Sequence, residues 1–234
     1  METVEVISLM LGAAWASGIN LYAAVLVLGY FGATGQVALP EELQLLTDPS
    51  VMMAAGLMYF VEFFADKIPG VDTGWDAIHT FIRIPAGALL AAGMASGIDV
   101  GGAAEFAALL VGGGLAATSH VTKAGTRALI NTSPEPVTNW TASIGEDLAV
   151  IGGLWAALNH PWLFIIALLL FIILVAWLLP KIWRALKRVA RAIGNFFSNR
   201  KQTDNQPDND NGRPRTREDI LQQLYHDNGK QDSP

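Results

Sequence analysis

From Leu163 to Leu179 the chain reads LFIIALLLFIILVAWLL, with no polar side chain before Pro180 and Lys181. At about 1.5 Å per residue, this run and the flanking Pro161 and Trp162 approach the roughly 30 Å hydrocarbon core of a bilayer. A helix that is apolar on every face has none to offer water, so the segment asks for lipid. The composition agrees: 52% of the residues are hydrophobic, 15% are charged and 23 are glycine, a balance suited to helices in close contact within a membrane. The chain has no cysteine, which removes disulfides, thiol catalysis and thiolate metal sites.

The expected fold class is all-α, a polytopic membrane helix bundle. Apolar segments at about 4–33, 50–66, 74–97, 102–121, 140–158 and 161–180 predict about six transmembrane helices, and Gly, Pro, Asn and Asp punctuate the connections. Glu2 and Glu5 stand where a secretory signal carries basic residues, so the first segment reads as a retained span. Lys67, Lys123 and Arg127 fall at the second and fourth connections, whereas the first, third and fifth have no Lys or Arg. The positive-inside rule then places the amino and carboxyl termini in the cytoplasm.

Three regions follow: a transmembrane domain over 1–180, a basic amphipathic helix over 181–201 and a disordered tail over 202–234. Lys181, Arg184, Lys187, Arg188 and Arg191 mark the amphipathic helix as a binder of anionic lipid head groups or as a stop-transfer anchor. In the tail, 216–226 begins with Thr216 as a helix cap and carries an apolar edge, a candidate contact for a cytoplasmic protein partner. Nucleic acid is not an expected partner.

Two hairpins, GLMYFVEFFADKIP with WDAIHTFIRIPAGALLA and GLAATSHVTKAGTR with WTASIGEDLAVIGGLWA, align Gly56 with Gly114 and Trp75 with Trp140. They suggest a parallel helical-hairpin repeat. Ser17, Gly18 and Asn20 interrupt the first long apolar segment, which predicts a broken or strongly tilted helix there. The glycines of GGG at 112–114, with Gly93 and Gly97, are expected at tight helix contacts.

Polar stripes supply the chemistry. Asp76, His79, Thr80 and Arg83 share one helical face, Ser143, Glu146 and Asp147 another, Tyr59, Glu62 and Asp66 a third, and His120, Lys123 and Arg127 a fourth. An unpaired charge at a helix centre is unfavourable by roughly 2.5–3.5 kcal/mol on insertion scales, so these groups need one another. One reading is a substrate or ion pathway built from Arg83, Glu146, Asp147 and Glu62, lined by Ser17, Asn20, His79, Thr80 and Ser143. The other is a structural staple of Arg83 with Glu146 or Asp147, with Glu62, Asp66, Lys67, Lys123 and Arg127 snorkelling to the interface. No cofactor, metal site or catalytic residue is expected: the four histidines lack ligand spacing and Ser143 lacks a nucleophile frame.

The stretches SGINLYAAVLVLGYFG, ADKIPGVDTGWDAIHTFIRIPAGALLA and TSPEPVTNWTASIGEDLAV resemble a family of bacterial integral membrane proteins catalogued as domain of unknown function 4126, over about residues 5–180. The resemblance implies a multi-pass protein of the bacterial inner membrane and brings no activity with it. The residues themselves point to a transporter or channel-like protein for a small solute, ion or lipid head group. The alternatives are a membrane scaffold that recruits a cytoplasmic partner through its carboxyl-terminal region, and, behind it, a lipid-acting enzyme.

Overall fold

A computed structural model describes residues 3–68, 70–97, 101–132 and 136–204. Among them the order is α1 (Thr3–Ala33), a 3-10 helix (Glu41–Thr47), α2 (Pro49–Ala65), α3 (Val71–Ala95), α4 (Gly102–Ile130), α5 (Pro136–Asn159) and α6 (Pro161–Asp204). The six long helices fall on the six apolar segments. Four of them, α1, α3, α4 and the Pro161–Arg188 part of α6, are long and apolar enough to cross a membrane. α2 has 17 residues, or about 25 Å at the helical rise, and α5 carries Glu146 and Asp147 within its apolar stretch.

The distribution of polarity is inverted relative to a water-soluble bundle. Outward faces carry Leu57, Phe60 and Phe64 on α2, Ile78 and Phe81 on α3, Leu148 and Trp155 on α5, and Leu170 and Ile173 on α6, all exposed. Inward faces hold Glu62, Asp76, Arg83, Lys123, Arg127 and Asp147, all buried. Such an arrangement is stable where the surrounding medium is hydrocarbon.

The chain divides into two compact units, Met1–Leu186 and Lys187–Pro234. In the first, α1 is the central post: α2, α3, α4 and α5 all pack on it, and the most extensively packed helix pair is α3 with α4. Small residues make that three-way crossing. A Cβ on Gly87 would lie 2.5 Å from that of Ala116 and 3.2 Å from the Ala14 carbonyl, and one on Gly112 would lie 3.0 Å from the Gly87 carbonyl. At Gly18 a Cβ would collide with Ser119 and the Ala116 carbonyl. The expectation for Gly112 therefore holds, whereas Gly114 faces open space, and Gly93 and Gly97 meet Leu43 and Pro40 of the first connection. That connection is a folded cap: Val37, Leu39 and Leu43 are buried in the core.

The two proposed hairpins both pack on α1, yet the arms of each touch one another only slightly. In the second unit α6 continues to Asp204 with Lys187, Arg188 and Arg191 exposed. The sequence places a boundary at 180, but α6 runs through Pro180 without interruption, because a proline removes one backbone donor and a membrane helix tolerates that single loss. The tail expected from 202 is helical as far as Asp204, and 216–226 lies outside the described residues.

Candidate functional site

The site starts from a backbone break. Asn20 has φ −146° and ψ 97° inside α1, so the helix is two helices end to end. Asn20 caps the second: its Oδ1 accepts from the Ala23 amide at 3.0 Å, the bond an N-cap side chain makes three residues into a helix. The first half ends on the Ile19 carbonyl, which accepts from Lys123 Nζ at 3.1 Å. An ammonium thus meets a helix carboxyl end, while Asp147 Oδ1 accepts from Asn20 Nδ2 at 3.1 Å beside a helix amino end. Both placements suit the helix dipole.

Around this break lies one connected ion network. Arg83 Nη2 is 2.6 Å from Glu62 Oε1 and its Nη1 is 2.9 Å from Asp76 Oδ1. Lys123 Nζ stands 2.9 Å from Asp66, 3.3 Å from Glu62, 3.5 Å from Glu146 and 3.7 Å from Asp76. Arg127 grips Glu146 with both fork nitrogens, at 3.1 and 2.7 Å, and donates from Nη1 to the carbonyls of Asp66 and Asn139. Arg83, Arg127 and Glu62 are fully buried, whereas the Glu146 side chain keeps 19% of its exposure. The network is therefore least buried at the Arg127–Glu146 pair, where α5 meets α4.

Neutral groups extend it. Thr80 Oγ1 lies 2.7 Å from His120 Nε2, and His120 Nδ1 lies 3.4 Å from Arg83 Nη1. His79 stacks on Trp75 and has its Nε2 3.0 Å from the Tyr22 hydroxyl. Ser17 Oγ donates to the Arg83 carbonyl at 2.9 Å, and Lys67 Nζ donates to Ser143 Oγ at 3.3 Å. The hydrogen bonding is incomplete: Glu62 Oε2, Asp66 Oδ1, Asp76 Oδ2, Arg83 Nε and Asp147 Oδ2 are buried with no partner.

The sequence-derived residues are gathered, with different partners from those expected. Arg83 pairs with Glu62 and Asp76, not with Glu146 or Asp147. Lys123 and Arg127 are interior and do not snorkel. Asp76, Asp66, Lys123, Arg127 and His120 belong to the network although the expected pathway omitted them. Their signal was present in the stripes, and what hid them was the assumption that a basic residue near a helix end reaches for the interface. Lys181, Arg184, Lys187, Arg188 and Arg191 are exposed on α6.

A helical bundle with membrane-spanning helices and buried ions at a broken helix is the class the structure defines. Within it, the chain belongs to the family described as domain of unknown function (DUF4126), whose model matches residues 7–181. No curated protein and no solved structure matches the chain.

Proposed function

We propose that this protein is a multi-pass transport protein of the bacterial inner membrane, with six crossings and both termini in the cytoplasm, that passes a small ion or solute through the ion network at the α1 break. The observation that carries this reading is that three cations and four carboxylates lie in mutual contact there, since a staple needs one pair. Broken helices whose carbonyl and amide ends face charged groups are the usual means of coordinating ions at membrane depth. In this mechanism the Arg127–Glu146 pair is the gate. Opening it frees Glu146 for a proton or cation and exposes the unpartnered oxygens of Glu62, Asp66 and Asp76. Arg83 stays as the internal counter-ion.

The test is flux into liposomes carrying the full chain, with H⁺, Na⁺ and K⁺ driven in turn by an imposed gradient and read by entrapped dyes. Protein-dependent flux of at least one ion, reduced about tenfold or more by Glu146→Gln, is expected. Equal flux in protein-free vesicles for all three, or an unchanged Glu146→Gln, overturns the reading. The second reading is a scaffold, favoured by the exposed basic residues Lys181, Arg184, Lys187, Arg188 and Arg191 of α6. Deleting 202–234 leaves flux intact in the transport reading and abolishes the protein's task in the scaffold reading.

A further inference from the structure

The charges around the α1 break do not balance. Among the described residues, Lys67, Arg83, Lys123 and Arg127 face Glu62, Asp66, Asp76, Glu146 and Asp147, and all but Glu146 are buried. One negative charge is therefore in excess. Asp72, at the start of α3, is satisfied separately by neutral donors, Asn131 Nδ2 at 2.8 Å and the amides of Gly70 and Thr73 at 2.9 and 2.6 Å, and counting it only widens the excess. A lone charge in a low-dielectric interior is neutralised rather than tolerated, and for a carboxylate the neutralising group is a proton or a bound cation.

The contacts show which carboxylate is in excess. Glu62 and Asp76 have Arg83 at 2.6 and 2.9 Å, Asp66 has Lys123 at 2.9 Å and Glu146 has Arg127 at 2.7 Å. Asp147 has no Lys or Arg nitrogen within 4.0 Å among the described residues. Its neighbours are Asn20 of α1, whose Nδ2 donates at 3.1 Å, and the Tyr59 hydroxyl of α2, both neutral. The charged groups facing it from further away are Asp66 and Lys67 of α2 and Lys123 of α4, with Glu146 beside it on its own helix. Neither ammonium is free to reach it. Lys123 spends three bonds on Ile19 O, Glu62 and Asp66, which is all an ammonium has. Lys67 donates to Phe63 O and Ser143 and lies over the Phe63 ring.

We propose that Asp147 is the proton site of this network: with the Arg127–Glu146 pair closed, its carboxyl carries one exchangeable proton, and H⁺ is the ion moved at the α1 break. A proton needs no coordination shell, and no three His, Asp or Glu side chains among the described residues are arranged to hold a metal ion. Asp147 follows Glu146 in the chain, so a movement of α5 that parts Glu146 from Arg127 carries the acid with it. Water then takes the proton from the carboxyl, and the carboxylate left behind draws Lys67 or Lys123 from its present acceptors until a proton returns. Buried acids of this kind are the carriers in membrane proton relays. The inference rests on the transport reading for its use, but the proton is tested without flux.

The experiment is infrared spectroscopy of the full chain in an ester-free detergent at neutral pH, reading the C=O stretch of a protonated carboxyl, which shifts down in D₂O. The native chain is expected to show this band, Asp147→Asn to lose it, and Asp48→Asn, at an exposed acid outside the network, to keep it. Because Asn has the shape of the neutral acid, Asp147→Asn is expected to unfold at the native temperature. Absence of the band from the native chain, its survival in Asp147→Asn, or a clear loss of stability in Asp147→Asn overturns the proposal, the last by showing that a charge was needed there. A band at Asp147 without ion flux spares this inference and sinks the transport reading. Flux of any ion without the band does the reverse.

Discussion

At the scale of single residues, the interior charges set the largest effects. Arg83→Ala removes the closer of the two cations that Glu62 and Asp76 share and leaves them only Lys123, at 3.3 and 3.7 Å, and breaking a buried pair by removing one partner is destabilising by about 3–5 kcal/mol. Thermal unfolding in detergent should show that loss. Glu146→Gln should fall well short of it, because Glu146 sits at the exposed edge and Arg127 keeps its two carbonyl acceptors. Asn20→Ala removes the internal cap, an effect of about 0.5–2 kcal/mol, whereas Asn20→Ser retains a cap oxygen and should unfold within a degree or two of the native chain (roughly 2–4 °C per kcal/mol at this size). Equal destabilisation by Ala and Ser would show that the Asp147 bond, not the cap, carries the role of Asn20. Arg83, Glu62 and Asn20 were legible in the sequence because a charge or an Asn within an apolar run has few explanations. Their partners were not, because periodicity gives the face of a helix and says nothing of which helix faces it. Arg83 met α2 and its own Asp76 instead of α5 for that reason.

At the scale of elements, close contacts predict opposite outcomes for glycines that look alike. Gly112→Val pushes a branched side chain into the Gly87 carbonyl and Ala91 and should destabilise the α1, α3 and α4 crossing, as overpacking does by about 1–3 kcal/mol. Gly114→Ala, with nothing near its Cβ, should stabilise α4 by about 0.5–1 kcal/mol. Both are read as shifts in the thermal midpoint. The start of α2 is pH-sensitive. Ser50 donates its hydroxyl and amide to Asp48, which holds that carboxyl below its ordinary value of 3.8. A lowered folded value means that the cap contributes fully above the ordinary range and fades as pH falls through the folded one. The Ser50 amide resonance should report this, and Asp48→Ala should erase it. Six helices were readable from hydrophobicity, and the α1 break from Ser17, Gly18 and Asn20. The 3-10 helix was not, since EELQLL looks like a polar connection until Leu43 finds Gly93 on α3.

At the scale of the whole molecule, apolar outside and ionic inside is the property from which the rest follows. It sets the topology prediction: in a chain without cysteine, Gln36→Cys should be labelled from the extracytoplasmic side and Thr132→Cys from the cytoplasmic side. Labelling of both from one side refutes the six-crossing arrangement. In the proposed mechanism α5 is the element that moves, since it packs on α1 but only lightly on α4 and is tied to its neighbours by Lys67–Ser143, Lys123–Glu146 and Arg127–Glu146. Polar ties exchange with water more readily than packed side chains separate. The most direct measurement is therefore modification of Ser143→Cys by a membrane-impermeant thiol reagent in sealed vesicles, with Val150→Cys, on the same buried face of α5, as control. If the ion network opens to water, Ser143→Cys reacts from the cytoplasmic side alone and Val150→Cys does not react. If neither reacts in vesicles while both react after unfolding, the network is a dry staple and the transport account is contradicted.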